Sequence, residues 1–348
     1  MECVLGGFYS IDMTPLKSKL EEGDFQLVIL QLPDGLKRFF PDLVDCISQL
    51  TSKSVIIHGD SVYGACDLQL GKLSLLEDLG RPLVVHVAHT PYPPELASNR
   101  VASEDVVYLN ARSLVRIDDW LLEEAVRTLN DIGARRVALV ATAQHLHELE
   151  SLARFMAARG LDPIVPRGRP PHLLDGQVIG CDYRVARSAG AVDSYVIVSG
   201  GLFHPLGLYL ATMRHVVHLD PYDSKVRLVD KEGERILRKR LYLVSKAMEG
   251  SGAGIIIGLK EGQYRPWLLR SLLEAARLKG LRTVLIAAEH VSPETLDNID
   301  SDLIDFYVVT SCPRLAIDDL GDYRKPVLTP GEAFMALEGS LHPYRFPW

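Results

Sequence analysis

The chain has 348 residues and an ordinary globular composition, with 47% hydrophobic and 24% charged residues. Its formal net charge of -7 does not favour a nucleic-acid partner, which would normally need a basic face. No apolar run approaches the roughly 20 residues that cross a bilayer, so a membrane span is not expected. At roughly 100–200 residues per domain, the length predicts two or three domains.

The first predicted unit consists of a strand, a helix and a second strand. Residues 25–32 form an apolar strand, and helically spaced apolar residues predict a helix over 36–50. A second strand is predicted at 54–59, and Cys66 follows it in the motif GDSVYGACD. The small residues beside this cysteine leave its sulfur open to approach by other groups.

Two further units follow a similar plan. The second has predicted helices at 118–134 and 144–160 and strands at 136–142 and 161–166. Cys181 comes after it, in GQVIGCDYR. The third has predicted helices at 233–251 and 265–280 and strands at 253–259, 282–288 and 304–311. Cys312 comes directly after the last of these strands, in TSCPRLAIDD.

Alternating strands and helices predict an α/β protein with parallel sheets covered on both faces. The repeated plan predicts three similar α/β domains, at 1–112, 113–225 and 226–348, each with one cysteine. Because parallel sheets place their sites beyond the carboxyl ends of the strands, the three cysteines are candidates for one shared centre.

The five cysteines are few, odd in number and far apart, so they do not suggest a disulfide framework. Cys3 and Cys46 are interpreted as small buried packing residues. The N-terminus lacks a basic segment followed by an apolar core, so no secretory signal is expected. Together these features favour a reducing, cytoplasmic location.

Cys66, Cys181 and Cys312 are too few for a closed structural zinc site and lack C-x-x-C pairing. Soft thiolates suit zinc, copper(I) and iron–sulfur clusters, and a four-iron cluster held by only three cysteines keeps one iron open. Packing as buried hydrophobes remains the alternative, because separation along the sequence does not reveal distance in space.

Five local motifs resemble one family. GDSVYGACD, GQVIGCDYR, LFHPLG, LDPY, and TSCPRLAIDD followed by PVLTPGEA occur in the order found in the diphthamide-synthesis family of archaeal type. The similarity extends from LPDGLKR at 32–38 to LTPGEAFMAL at 328–337. Three of the motifs contain the cysteines, which makes the resemblance specific.

This resemblance implies three α/β domains around one 4Fe-4S cluster, with Cys66, Cys181 and Cys312 as its ligands. It implies that S-adenosylmethionine binds at the open iron and that its 3-amino-3-carboxypropyl group leaves as a radical. The group would add to a histidine of translation elongation factor 2, with release of methylthioadenosine. The resemblance also implies a homodimer and an unidentified electron donor, with no nucleic acid or membrane involved.

Several other residues are candidates for the site, each with an ordinary structural alternative. Arg314 is predicted to bind the cofactor carboxylate, and an ion pair to Asp318 or Asp319 is the alternative. His204 could contact the cofactor or the target histidine, or cap a carbonyl. Gly200 and Gly201 allow the backbone to approach a ligand. Relatives often have an acidic residue in this turn, and this chain does not.

Gln263 is a candidate cofactor contact, although a role at the helix start explains it equally well. Tyr63 and Asp60 could shape the pocket beside Cys66, or make buried structural hydrogen bonds. His86 and His89 flank a strand end, where a second metal is conceivable but weakly supported.

Two alternative functions remain open from the sequence. A quinolinate-synthase-like enzyme would also place three α/β domains around a three-cysteine cluster, but it would need a phosphate-binding loop that the chain does not show. A helper subunit that only passes electrons would need the cluster but no substrate site.

Overall fold

A computed structural model of the chain describes residues 1–96 and 105–348. The strands in these ranges are β1 (Glu2–Leu5), β2 (Tyr9–Asp12), β3 (Leu27–Gln31), β4 (Ser54–Ile57), β5 (Pro82–Val87), β6 (Val106–Leu109), β7 (Ala111–Ser113), β8 (Arg136–Ala141), β9 (Asp162–Ile164), β10 (Ser194–Val198), β11 (His215–Asp220), β12 (Lys225–Leu228), β13 (Gly252–Gly258), β14 (Arg282–Ala288), β15 (Phe306–Val309) and β16 (Val327–Leu328). The α-helices there are α1 (Thr14–Glu22), α2 (Phe40–Ser48), α3 (Leu70–Leu73), α4 (Asp119–Asp131), α5 (Leu149–Ala157), α6 (Arg184–Arg187), α7 (Phe203–Thr212), α8 (Asp230–Met248), α9 (Pro266–Leu278), α10 (Pro293–Ile299) and α11 (Pro330–Glu338).

Three parallel sheets share one strand order, which confirms the predicted α/β repeat. Their strands run β4-β3-β5-β6, β9-β8-β10-β11 and β14-β13-β15-β16. Numbered within each unit, all three orders are 2-1-3-4. The second sheet is extended by β12, which pairs antiparallel with β11. Most of the strands are buried and apolar, as expected for strands covered on both faces.

The N-terminal segment adds a small sheet that was not predicted from the sequence. β1 and β2 form an antiparallel hairpin, and β7 joins it on the free edge of β2. The predicted boundary between residues 112 and 113 falls within β7. The domain limits themselves stay a prediction.

Two predicted helices begin with a 3₁₀ segment. The helix predicted over 36–50 is a 3₁₀ segment, Asp34–Phe39, followed by α2, and the one over 144–160 starts with Ala143–Glu148. In the first case the reason is Pro41. A proline has no N–H to donate to the carbonyl four residues earlier, so an α-helix cannot run unbroken through this position.

Cys3 and Cys46 form a disulfide, so their interpretation as unpaired packing residues is wrong. The hairpin places β1 beside α2, and the two Cα atoms lie 6.0 Å apart although 43 positions separate the residues. Spacing alone could not show this, because the pair meets only once the hairpin has docked on the helix. The reducing location inferred from the cysteine count therefore loses part of its basis.

No helix in the described part of the chain is both long and apolar enough to span a membrane.

Candidate metal centre

The three remaining cysteines come from three different sheets and meet at one place. Cys66 and Cys181 lie in the loops after the second strands of their units, and Cys312 follows β15, the third strand of its unit. All three are free and half-buried. Arg265 links their surroundings. It donates to the hydroxyl of Tyr92, which lies 3.4 Å from Cys181 Sγ, and to the carbonyl of Ser311, beside Cys312. It also donates to the carbonyl of Gln263, whose side chain lies 3.6 Å from Cys66 Sγ. These contacts place the three cysteines around one region, and their role as ligands of one centre stays a prediction.

Burial is the main influence on these thiols. It raises the pKa of each, to about 11 for Cys66, Cys181 and Cys312 alike. The metal-free thiols are therefore protonated near neutral pH, and a metal that binds them must displace their protons.

The loop of Cys66 is held by the turn that follows β13. The backbone N–H of Gly262 donates to the carbonyl of Cys66 at 2.9 Å. A Cβ atom on Gly262 would lie 2.4 Å from the Cα of Cys66, so only glycine permits this approach. Next to this contact, Lys260 and Asp67 form a buried ion pair at 2.6 Å. Glu261 accepts a hydrogen bond from the backbone N–H of Gln69 at 3.1 Å.

Each cysteine sulfur has a hydrogen-bond donor nearby. Gln263 Nε2 lies 3.6 Å from Cys66 Sγ, and the hydroxyl of Tyr92 lies 3.4 Å from Cys181 Sγ. The backbone N–H of Arg314 donates to the sulfur of Cys312, which lowers the pKa of that thiol. Donors of this kind stabilise the thiolate form.

Gln263 thus contacts a cysteine at the centre. The N-cap residue of α9 is Arg265, two positions after Gln263. Gln263 therefore does not cap this helix, as the alternative interpretation would require. Gln263 is buried, with 6% of its surface exposed.

Arg314 and Asp318 lie together on one turn, as the ordinary alternative predicts. Arg314 Nε is 3.6 Å from Asp318 Oδ2, and both side chains are about half exposed. The guanidinium also lies over the ring of Phe203 at 5.5 Å, so the second and third units are in contact here. Burial raises the pKa of the Asp318 carboxyl, and the Arg314 guanidinium opposes that change.

His204 is the second residue of α7, and its ring lies 5.2 Å from that of Phe203. Burial lowers its pKa to about 4, with Arg314, His218 and His89 acting in the same direction. The ring is therefore neutral near pH 7 and has a nitrogen lone pair that can accept a hydrogen bond.

Gly200 and Gly201 form the turn that leads into α7. Gly201 has φ of +66°, a conformation that favours glycine, and its N–H donates to Asp220 Oδ2 at 3.0 Å. An acid at the end of β11 thus binds this turn, although the turn itself contains none. A Cβ atom on Gly200 would meet the ring of Tyr222 at 3.0 Å.

Tyr63 and Asp60 have exposed side chains near the Cys66 loop. Tyr63 is 65% exposed, and its ring lies 5.0 Å from Lys260 Nζ. Asp60 is exposed, and its carbonyl accepts from Lys37 at 2.8 Å. The exposure of Tyr63 rules out the buried structural hydrogen bond that was its alternative, and its role beside Cys66 stays a prediction.

His86 and His89 form a hydrogen-bonded chain. Gln31 donates through Nε2 to the carbonyl of Leu68, so its Oε1 accepts from His86 Nδ1 at 3.0 Å. His86 Nε2 must then accept from His89 Nδ1, also at 3.0 Å. Burial lowers the pKa of His89 to about 4 and holds that of His86 well below its ordinary value. The two facing nitrogens are used by each other, which disfavours a second metal between them.

Sequence reasoning missed Arg265, Tyr92 and Trp348. Arg265 is 2% exposed and donates to the hydroxyl of Tyr92 at 2.8 Å. The C-terminal Trp348 stacks over the Arg265 guanidinium at 4.3 Å and donates to the carbonyl of Cys181 at 3.0 Å. A cavity of about 450 Å³ beside Cys181 is lined in part by Trp267 and Trp348. No sequence signal links these residues, because each is remote along the chain from the cysteine that it serves.

Within residues 1–96 and 105–348, no three His, Cys, Asp or Glu side chains are close enough together to chelate one metal ion. Three parallel sheets with one strand order, each followed by a free, half-buried cysteine, define a three-unit α/β protein. The family model described as a putative diphthamide synthesis protein matches residues 32–345. The chain therefore belongs to the diphthamide synthesis family, which confirms the resemblance seen in its motifs.

Individual relatives agree with this assignment. The chain is 30% identical over 340 residues to the 2-(3-amino-3-carboxypropyl)histidine synthase of Pyrococcus horikoshii. The aligned region covers 97% of this chain and 93% of that protein. It is 28% identical over 335 residues to subunit 1 of the human synthase of the same name, covering 96% and 73% of the two chains. The chain is accordingly an enzyme, a transferase of diphthamide biosynthesis.

Solved structures show the same fold. The crystal structure of Dph2 from Pyrococcus horikoshii superposes with a TM-score of 0.81 at 28% identity, covering 98% of this chain and 94% of that one. The structure of that protein with a 4Fe-4S cluster superposes with a TM-score of 0.79 and covers 98% and 93%. These matches favour the assignment to diphthamide synthesis over the quinolinate-synthase-like alternative.

Proposed function

We propose that Cys66, Cys181 and Cys312 bind a 4Fe-4S cluster and that the enzyme transfers the 3-amino-3-carboxypropyl group of S-adenosylmethionine to a histidine of translation elongation factor 2. The observation that carries this proposal is the convergence of three free cysteines from three sheets. A relative of known structure holds a cluster of this type.

The donor set fits a polynuclear cluster better than a single ion. No three donors in the described ranges approach one another closely enough for one ion. A four-iron cluster instead spreads its ligands over separate irons, and three cysteines leave the fourth iron available. The hydrogen-bond donors from Gln263, Tyr92 and Arg314 supply the environment that thiolates bound to iron require.

When bound, the cluster supplies one electron to the sulfonium of S-adenosylmethionine, so that the aminocarboxypropyl group leaves as a radical and methylthioadenosine is released. The residues of the chain then bind and orient the reactants. Arg314 offers a guanidinium that forks onto a carboxylate, and Asp318 holds it in place until the cofactor binds. We assign His204, neutral near pH 7, as a hydrogen-bond acceptor for the reactants.

The backbone of Gly201 is open to a ligand, since a Cβ there would meet nothing within 4 Å, whereas Gly200 packs against Tyr222. Gln263 acts on Cys66 and thereby on the cluster. The proposal includes elongation factor 2 as the protein substrate, an external electron donor and a homodimer, all of which the family resemblance implies.

The test is an anaerobic turnover. The purified protein is reconstituted with iron and sulfide, reduced with dithionite, and mixed with S-adenosylmethionine and elongation factor 2. We expect methylthioadenosine and a mass increase of the factor, both lost in Cys66→Ala, Cys181→Ala and Cys312→Ala. Cys46→Ala is the matched control, because it removes a cysteine of the disulfide, and it keeps the product.

Other results would contradict the proposal in different ways. A cluster without the product would favour the electron-passing helper subunit. Product formation by Cys312→Ala would refute the ligand assignment, and a wild-type protein that takes up no iron would refute the cluster.

A further inference from the structure

Among the described residues, the buried cation Arg265 has no carboxylate partner. Its guanidinium donates to the carbonyls of Gln263, Thr310 and Ser311 and to the hydroxyl of Tyr92. Its Nε is buried and has no acceptor in the described part of the chain. None of these partners carries a negative charge.

The other two buried cations of the described chain are paired. Arg240 binds Glu332 through two hydrogen bonds of 2.8 and 2.6 Å, and Lys260 binds Asp67 at 2.6 Å. An unpaired buried charge is strongly unfavourable, so a protein normally supplies a counter-charge. Arg265 therefore requires a negative group that is not a carboxylate.

The groups that can supply this charge are the three thiols. The Arg265 guanidinium donates to the carbonyl of Ser311, which precedes Cys312, and to that of Gln263, whose Nε2 lies 3.6 Å from Cys66 Sγ. It also donates to the hydroxyl of Tyr92, which lies against Cys181. Once iron has displaced their protons, the thiolates provide the charge that the guanidinium lacks.

A directed hydrogen-bond chain connects Arg265 to one ligand. Arg265 Nη2 donates to the oxygen of Tyr92, which leaves the hydroxyl hydrogen of Tyr92 for Cys181 Sγ at 3.4 Å. The guanidinium increases the polarity of this hydroxyl and so strengthens its bond to a thiolate. Trp348 covers the guanidinium on one face and limits its access to water.

We propose that Arg265, partly through Tyr92, is the counter-cation of the three-cysteine centre and raises the reduction potential of the cluster that it holds. This inference rests on the proposed function, because it assumes the cluster. A fixed positive charge and a hydrogen bond to a ligand sulfur both favour the reduced cluster, which carries one more negative charge. Arg265 is a positioning residue, since it acts through the ligands and their partners.

The test is an anaerobic redox titration of the reconstituted cluster, followed by electron paramagnetic resonance. Arg265→Met removes the charge, Arg265→Lys keeps it, and Tyr92→Phe removes only the hydroxyl. Arg270→Met is the matched control, because Arg270 lies on the exposed face of the helix that Arg265 caps.

We expect the midpoint potential of Arg265→Met to be more negative than that of the wild type and that of Tyr92→Phe to shift less in the same direction. Arg265→Lys should stay near the wild type, and Arg270→Met should equal it. An Arg265→Met cluster at the wild-type midpoint overturns the proposal. If Arg265→Met holds no cluster, the midpoint potential of Tyr92→Phe is the test. A midpoint equal to that of the wild type overturns the role of Arg265, and a more negative midpoint supports it. A wild-type protein without a cluster overturns the proposed function, and this role with it.

Discussion

Lys260 Nζ lies 2.6 Å from Asp67 Oδ2, and both side chains are buried. Lys260 belongs to the turn after β13, whereas Asp67 directly follows Cys66, so one ion pair joins the first and third units beside the cysteine centre. The same turn provides Gly262 and Gln263, which contact the backbone and sulfur of Cys66. Any change that separates these two units should therefore affect the centre.

Removal of one partner of this ion pair should destabilise the protein. Asp67→Asn leaves the Lys260 ammonium buried and unpaired, and we expect a loss of about 3–5 kcal/mol in the free energy of unfolding. Iron content after reconstitution should fall as well. Urea unfolding and iron analysis measure the two effects. The double variant Asp67→Leu/Lys260→Met should recover part of the stability, and a single variant as stable as the wild type would contradict the prediction.

The close approach of Gly262 to Cys66 is directly testable. Gly262→Ala places a Cβ where the backbone of Cys66 now lies, so the turn must move and its hydrogen bond must lengthen. We expect a loss of about 1–3 kcal/mol in stability and weaker iron retention. Gly59→Ala is the control, because a Cβ on Gly59 meets nothing within 4 Å. Equal iron retention in the two variants would count against the steric argument.

His145 should make the protein sensitive to acid. It is 1% exposed, neither ring nitrogen has a hydrogen-bond partner in the described structure, and burial lowers its pKa to about 4 from an ordinary 6.5. Between these values the unfolded chain binds a proton that the folded chain does not. Stability is therefore full above pH 6.5 and is lost as the pH falls towards 4.

Between pH 6.5 and about 4, the free energy of unfolding of His145→Phe should fall by up to about 3 kcal/mol less than that of the wild type. Urea unfolding at several pH values across this window measures the slope. His290→Gln, at a side chain that is 65% exposed, is the control and should keep the wild-type slope. If the wild type and His145→Phe lose stability in parallel, the loss arises elsewhere.

The disulfide between Cys3 and Cys46 should be detectable and stabilising. Peptide mass spectrometry of denatured, unreduced, iron-free protein should find Cys66, Cys181 and Cys312 alkylated and the other two cysteines linked. For a loop of 43 residues we expect Cys46→Ala to lower stability by roughly 2–4 kcal/mol. A reductant should then destabilise the wild type but not the variant. Alkylation of all five cysteines without reduction would refute the link.

The regular elements and the cysteine positions could be predicted because their signals are local. An apolar run such as 253–259, or the helical spacing within 265–280, depends only on residues that are close in sequence. β13 and α9 begin and end within one or two residues of those predicted limits. Two of the helix starts were missed because 3₁₀ segments share the same apolar spacing. The N-terminal hairpin was missed because its strands are only four residues each.

The α/β repeat, the three strand-end cysteines and the family can be predicted from the order of the residues. Which side chains surround the cysteines depends on how the sheets dock. Gln263 meets Cys66 across 197 positions, and Arg265 meets Tyr92 across 173. Tyr63, four positions from Asp67, points to solvent instead. The physical reason is that contacts between units form where separate sheets dock, and residue spacing within one unit does not specify how two sheets face each other.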